Sequence, residues 1–313
     1  MIKKDKPKIV VVGSSNMDLV VKSPRIPAVG ETILGGDFIM VPGGKGANQA
    51  VAAAKLGAQV YFIAKLGGDI FAEQSLANFK KEEVDTKYIV QTKDVPSGVA
   101  LIMVNEGGDN IIVVAPGANQ KLSPQDVKKA ESDIGSCGAV VAQLEVPLEA
   151  VEFAAQLANS YKVPFILDPA PAQKLNPGLL KMADVLTPNE TEAQILTDME
   201  VLDEDSARMA AKSLLGSGVK AVVLTMGAKG FLLVSKDQTE LIPAIKVDAV
   251  DATAAGDAFT GSLAFGLAQG QALLDAALFA NHVAALSVTK MGAQPSMPTL
   301  QEVQDFINKV GCK

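Results

Sequence analysis

The stretch AVVAQLEVPLEAVEFAAQLANSYKVPFILD, Ala139 to Asp168, decides the fold. It opens on an apolar run, Ala139 to Leu144, passes through a helical stretch from Leu148 to Ser160, and closes on a second short run, Pro164 to Asp168. Working outward, the alternation continues. A helix is predicted over Ser123 to Ser132 on the near side. On the far side, a strand over Ala183 to Leu186 leads to a helix over Glu190 to Thr197, and a helix over Asp205 to Leu215 to a strand over Ala221 to Thr225. Strands separated by helices imply right-handed crossovers and a largely parallel sheet covered on both faces.

Toward the N-terminus, Lys8 to Val12 reads as a buried strand running into a turn at Gly13, with a further strand over Asp18 to Lys22. Glu31 to Val41, with Gly35 and Gly36 at its middle, predicts a hairpin. A helix over Ala47 to Leu56, a strand over Val60 to Leu66 and a helix over Ile70 to Glu83 follow. Val99 to Val104 and Asn110 to Val114 then predict a second hairpin about Gly107 and Gly108. The last third holds a strand pair, Phe231 to Val234 and Thr239 to Ile242, then helices over Ala255 to Gln269 and Gln271 to Ser287. With no repeat or linker in view, the reading is one α/β domain over residues 1–313. It is a three-layer sandwich with a mostly parallel central sheet flanked by helices, plus a small β-sheet lid from inserted strands around 18–22, 31–42 and 99–114. Apolar residues on a free-edged lid hairpin, Ile33 and Phe38 to Val41, predict pairing with a second copy in a homodimer.

Composition narrows the function. The 313 residues carry a net charge of -7, which argues against a nucleic-acid or other polyanion surface but leaves nucleotides possible, because helix ends and backbone amides can hold phosphates. Cys137 and Cys312 are the only cysteines and share no ligand spacing, as in a reducing compartment, and the apolar run Ile9 to Val12 is too short for a signal or a membrane span. A cytoplasmic enzyme is the expectation. One histidine, His282 in an Ala-rich helix, excludes a Ser-His-Asp triad and an HExxH metal helix. Any general base is then a carboxylate, a lysine or a tyrosine.

Two clusters of small residues precede helices. In Pro42-Gly43-Gly44-Lys45-Gly46-Ala47-Asn48, successive glycines let backbone amides approach a ligand at a helix start, although a plain tight turn explains them as well. Lys45 is followed by Gly46 rather than Ser or Thr, so this is no P-loop; the loop follows a hairpin rather than a first strand, so it is no Rossmann fingerprint either. That failed fingerprint counts against a dehydrogenase. The second cluster, Asp251-Ala252-Thr253-Ala254-Ala255-Gly256-Asp257, opens another helix with little side-chain bulk and sets Asp257 in its first turn. An acid there often only stabilises the helix dipole, but no capping need explains Ala254 to Gly256. Amides for an anion beside a carboxylate suit phosphoryl transfer to a hydroxyl.

These two segments resemble the N- and C-terminal signatures of the PfkB carbohydrate kinase family. Gly13-Ser14-Ser15-Asn16-Met17-Asp18 and Asn189-Glu190-Thr191-Glu192, an NxxE motif, stand in the family's order and spacing. The resemblance implies ATP-dependent phosphorylation of a sugar hydroxyl, with ribose the expected acceptor and deoxyribose, fructose or a nucleoside the alternatives; a sugar-binding regulator without catalysis is the more distant one. It implies sugar contacts at Asn16, Met17, Asp18, Gly44, Lys45, Gly46, Ala47, Asn48 and Glu145, with Asp257 as catalytic base. It implies an anion hole at Ala254, Ala255 and Gly256, and a nucleotide site at Asn189, Thr225, Met226, Gly227, Ala228, Lys229, Gly230 and Asn281. Glu192 would act on magnesium through water. Potassium, as an activator, would be held mainly by main-chain oxygens around Asp251, Thr253, Ser287, Lys290, Gly292 and Ser296. Ala252, Ala258 and Thr260 depart from the residues common in the family.

Overall fold

A computed structural model describes residues 6–311. Thirteen strands among these residues form two sheets. They are β1 (Lys8–Val12), β2 (Asn16–Ser23), β3 (Phe38–Gly43), β4 (Gln59–Leu66), β5 (Val84–Gln91), β6 (Gly98–Asn105), β7 (Asn110–Ala115), β8 (Ala139–Ala142), β9 (Phe165–Leu167), β10 (Val185–Leu186), β11 (Ala221–Thr225), β12 (Phe231–Ser235) and β13 (Thr239–Ile242).

The large sheet runs β13-β12-β11-β10-β9-β8-β1-β4-β5 and is parallel except for β12 and β13, which are added antiparallel. Successive side chains of a strand point to opposite faces, and both faces of this sheet are buried. Val10, Val12, Val140 and Leu167 join one core with the helices Leu148–Ser160 and Glu204–Gly216. Ile9, Val11, Val141 and Ile166 join the other with the helices Lys45–Lys55, Ala255–Ala268 and Leu273–Ser287. The Ala255–Ala268 helix is apolar on nearly every side because it lies between the sheet and its neighbours. No helix of the described residues is long and apolar enough to cross a membrane.

The small sheet runs β3-β2-β6-β7, with β2 and β6 parallel and both edge strands antiparallel. The predicted hairpin within Glu31 to Val41 does not form. Residues 31–37 are not strand, and β3 pairs instead with β2 across a long connection. Gly35 and Gly36 lack the positive φ that a two-residue hairpin turn requires, and Gly36 donates to Lys22 O on β2. The predicted hairpin of β6 and β7 does form.

Three elements have no counterpart in the sequence reading: edge strand β5 and the helices Pro177–Met182 and Leu300–Gly311. β5 (VDTKYIVQ) buries only Val84 and Tyr88, so its apolar signal is sparse. The last helix carries Leu300, Val303 and Ile307 at helical spacing, and these pack on the second core. The single helix predicted over Ser123 to Ser132 is two short ones, Pro124–Lys128 and Glu131–Ile134.

Candidate active site

The parallel strands β1, β8, β9, β10 and β11 deliver Ser14, Glu145, Asp168, Asn189 and Met226 just beyond their carboxyl ends. That edge is where open parallel sheets expose loop backbone and helix N-termini together. Two of the helices that start there have first turns that behave differently.

The Lys45–Lys55 helix spends its leading amides on the protein. Lys45 N donates to Glu145 Oε2 at 3.0 Å, Gly46 N to Ser14 Oγ at 3.3 Å, Ala47 N to Ser14 O at 2.9 Å and Asn48 N to Gly44 O at 2.9 Å. The Ser14 hydroxyl itself donates to Glu145. The glycines serve this packing. A Cβ on Gly46 would lie 2.6 Å from Ser14 N, and one on Gly44, at φ 91°, 2.7 Å from Asn16 N. These glycines bring the helix start against the β1–β2 connection, where the amides of Lys45, Gly46, Ala47 and Asn48 all have partners within the chain. Met17 and Ala47 are buried as well.

The Ala255–Ala268 helix starts open. Ala254 precedes it in the left-handed region at φ 59°, at a cost of about 1–2 kcal/mol. Ala255 N donates to Ala252 O and Ala258 N to Ala254 O, while the amides of Gly256 and Asp257 find no acceptor among the described residues. A Cβ on Gly256 would meet nothing within 4 Å. Neither backbone conformation nor packing demands glycine there, so the bare backbone faces free space beside two unspent donors.

Asp257 points inward from this turn and is 5% exposed. Its Oδ2 accepts from Asn48 Nδ2 at 2.8 Å and its Oδ1 from Gln49 Nε2 at 3.0 Å. The helices carrying these partners touch at Gly261, where a Cβ would lie 2.6 Å from Gln49 O. On the small-sheet side, Asn16 Oδ1 accepts from Asn119 Nδ2 at 2.7 Å, and Asp18 is held against Gly43.

Five carboxylates and one cation share this edge. Asp18 is pushed up to about 7 by burial, with Glu145 and Asp257 adding to the shift. Asp168 lies well above the usual carboxylate range, chiefly through burial. Glu192 is raised by burial too. For Lys45 burial is the largest single influence and acts to lower its pKa, but Asp257, Asp168, Glu145 and Glu192 outweigh it and keep the ammonium charged.

On the other flank, Asn189 caps the Glu190–Thr197 helix. Its Oδ1 accepts from Glu192 N, and Glu192 Oε2 accepts from Asn189 N, each at 2.8 Å. The NxxE spacing is thus a reciprocal capping box, a local role that the sequence reading did not see. Thr225 bridges to Asn189, and the turn Gly227–Lys229 follows, with Gly230 against Ile242 O and Lys229 paired to Glu190 at 3.0 Å. Asn281 Nδ2 donates to Pro243 O at 3.0 Å. The proposed cation loops do meet: Val250 N and Asp251 N both donate to Val288 O, and Asp251 accepts from Thr253 and from Gly292 N at 2.8 Å. Ser287 and Ser296 spend their hydroxyls on nearby carbonyls, and Lys290 turns its ammonium to Glu302.

Gln49, Asp168, Gln143, Gln294 and Asn119 were not singled out from the sequence. A signal was there: Gln143 ends the apolar run AVVAQ and Asp168 ends FILD, polar groups at the mouths of buried strands.

The fold and these two helix starts define a phosphotransferase acting on a hydroxyl. The pfkB family carbohydrate kinase model matches residues 6–300, and the chain belongs to that family. It is 43% identical to a ribokinase of Haemophilus influenzae, over 96% of this chain and 98% of that one. It is 40% identical to a deoxyribokinase of Salmonella typhi, with the same two coverages. An Arabidopsis thaliana ribokinase solved with ribose and ATP superposes with a TM-score of 0.89 at 32% identity, over 96% of this chain and 99% of that one.

The two glycine environments give opposite expectations. Gly46→Ala should lower the melting temperature through a backbone clash of about 1–3 kcal/mol. Gly256→Ala, which fills only open space in a helix, should hold or raise the melting temperature by up to about 1 kcal/mol equivalent, yet cut turnover at least tenfold. Thermal unfolding and a coupled ADP assay on both variants check this.

Asp18 gives a pH expectation. Its proton is held more tightly in the folded chain, with the pKa at about 7 against 3.8, so this contribution is present at acid pH and is lost as pH rises through about 7. Asp18→Asn should therefore stabilise the free protein at pH 8, on the order of 1–3 kcal/mol, with the gain shrinking toward pH 4, while sugar binding weakens. Unfolding midpoints across that pH range measure it.

Proposed function

We propose that the protein transfers the terminal phosphate of ATP to the 5-hydroxyl of D-ribose, giving ribose 5-phosphate and ADP. The observation that carries the reading is the open first turn of the Ala255–Ala268 helix, with two unspent amides and the bare Gly256 set directly beside the pinned carboxylate of Asp257. Asp257 accepts the proton of the attacking hydroxyl, and the amides of Gly256 and Asp257 receive charge on the transferred phosphoryl oxygens. A polyol needs several fixed donors and acceptors. Asn16, Asp18, Lys45, Asn48 and Glu145 supply them, with Gly44, Gly46 and Ala47 shaping the floor.

ATP is assigned to the flank built from Asn189, Thr225 to Gly230 and Asn281. Among the described residues no cluster of three or more His, Cys, Asp or Glu side chains is built to hold a metal ion, so magnesium would enter on the nucleotide phosphates. Glu192, with Oε2 committed to its cap, would meet that ion through water. Magnesium supplies charge neutralisation on the phosphates when bound. Potassium is assigned to main-chain oxygens of the clasped loops around Asp251 and Gly292, where it would stiffen the approach to Ala254. The enzyme is taken to work in the cytoplasm.

The small sheet is proposed as both lid and dimer interface. β7 is exposed along its whole length although it reads NIIVVA, Leu101 is exposed beside it on β6, and Phe38 and Ile39 are exposed on the opposite edge strand β3. Pairing with a second copy would cover this apolar surface.

Deoxyribose stays in view because a deoxyribokinase is nearly as similar to this chain as the ribokinases are. A sugar panel in a coupled ADP assay, run in potassium and in sodium salts, separates the two. Ribose should be turned over fastest and potassium should accelerate it; faster turnover of deoxyribose overturns the choice of sugar, and sugar binding without ADP release overturns catalysis. Asp257→Asn should leave ribose affinity within a few-fold and reduce kcat by at least about a thousandfold. Ile112→Lys should convert a dimer to a monomer in light scattering.

A further inference from the structure

Gln49 follows Asn48 on the Lys45–Lys55 helix and is wholly buried. Both donors of its side-chain amide are used, and its oxygen accepts as well. Nε2 donates to Asp168 Oδ2 at 2.6 Å and to Asp257 Oδ1 at 3.0 Å, and Oε1 accepts from Gln143 Nε2 at 2.6 Å. Direction in this chain is set by chemistry. Turning Gln49 over would aim its carbonyl at two carboxyl groups, and turning Gln143 over would aim one carbonyl at another. Gln143 is buried too, and its Oε1 has no partner, lying against Gly13. An orphaned buried acceptor costs about 1–3 kcal/mol, so the fold tolerates a penalty to keep that amide pointing its donor at Gln49.

We infer that Gln49 is a positioning residue for the base Asp257, and that Gln143, which touches no reacting group, fixes the direction in which Gln49 donates. Asn48 is locked the same way on the other oxygen: its Nδ2 donates to Asp257 Oδ2 while its Oδ1 accepts from Gln294 Nε2 at 3.1 Å. Two consecutive side chains thus clamp both oxygens of one carboxylate, each anchored from behind by a further glutamine. The charged groups facing Asp257 are Lys45 from the Lys45–Lys55 helix, Asp168 beyond β9, Glu192 from the Glu190–Thr197 helix and Asp18 from β2. Three of the four are acids. Neutral amides stabilise the ionised base in this acidic setting without bringing a proton that competes for it.

The inference rests on Asp257 being the base. Gln49→Met removes both donated bonds at nearly constant shape. It should lower kcat about 10- to 100-fold with the sugar KM within about threefold, and should move the acid limb of the kcat–pH profile upward by about one unit as the ionised base loses a donor. Gln49→Leu, which also removes both donors without adding a charge, should move the limb the same way and reads the effect if the methionine variant does not fold. Gln143→Met should give a smaller shift of the same sign, and should add nothing in the Gln49→Met background, because it acts through that residue. The limb shift should persist when Asp168 is changed to Asn, which keeps an acceptor for Gln49 but removes that acid's titration. Folded Gln49 variants with an unmoved limb and kcat within twofold would overturn the inference, as would additivity of the two glutamine changes. If Asp257→Asn retains turnover, the assignment of the base fails instead.

Discussion

The contact on which this site depends is the approach of two buried helices at Gly261. Without that glycine, the helix beginning at Lys45 would stand off from the helix beginning at Ala255, since a methyl group there would press on Gln49 O and Ala52. With it, Asn48 and Gln49 reach across to both oxygens of Asp257. The second half of the arrangement is the seating of the Lys45 turn on the β1–β2 connection, through Ser14 and Glu145. Sheet, helix start and base are thereby fixed to one another by one close backbone approach and a set of buried side-chain hydrogen bonds.

Such a site is electrostatically expensive. Asp18, Glu145, Asp168, Glu192 and Asp257 gather around Lys45, and burial raises the pKa of Asp18, Asp168 and Glu192. A core built only for stability would not concentrate acids in this way. A polyol explains it, because hydroxyl groups donate to carboxylates and replace the water that the fold excludes. An anionic nucleotide is a harder guest among acids. The proposed place for its transferred phosphate is the open helix start, where amide dipoles supply positive potential without a proton to lose.

Much of the fold was legible because its parallel strands are uninterrupted apolar runs and its helices end on recognisable residues. β1, the β6–β7 pair and the Leu148–Ser160 helix lie where periodicity puts them. The failures have a common cause. The predicted 31–41 hairpin took Gly35 and Gly36 for a turn, when their conformation fits a loop laid along β2, and β5 was missed because an edge strand buries few residues. Both depend on what the chain packs against. Around the candidate site, recognisable clusters drew the reading to Asn48 and Asp257, which the fold brings together, but not to the glutamines behind them. Gln49 looks like a helix-former inside ANQAVAAAK, and only its burial between Asp168 and Asp257 distinguishes it.

The glycines carry the same lesson one step further. At Gly44, Gly46 and Gly261 a side chain would strike the protein's own backbone, so each is accounted for within the folded chain. Gly256 is not: it is helical, has ordinary φ, and stands in open space, where alanine would be the better helix former by about 1 kcal/mol. A residue that sacrifices helix stability without relieving any internal contact answers to something outside the chain. Beside it, Ala254 holds a strained conformation and two amides go unspent. Two departures from what folding favours, Gly256 and the strained Ala254, converge on one turn beside its free amides, and the proposed guest fits them: an anion with oxygens small enough to sit where a methyl group would otherwise be.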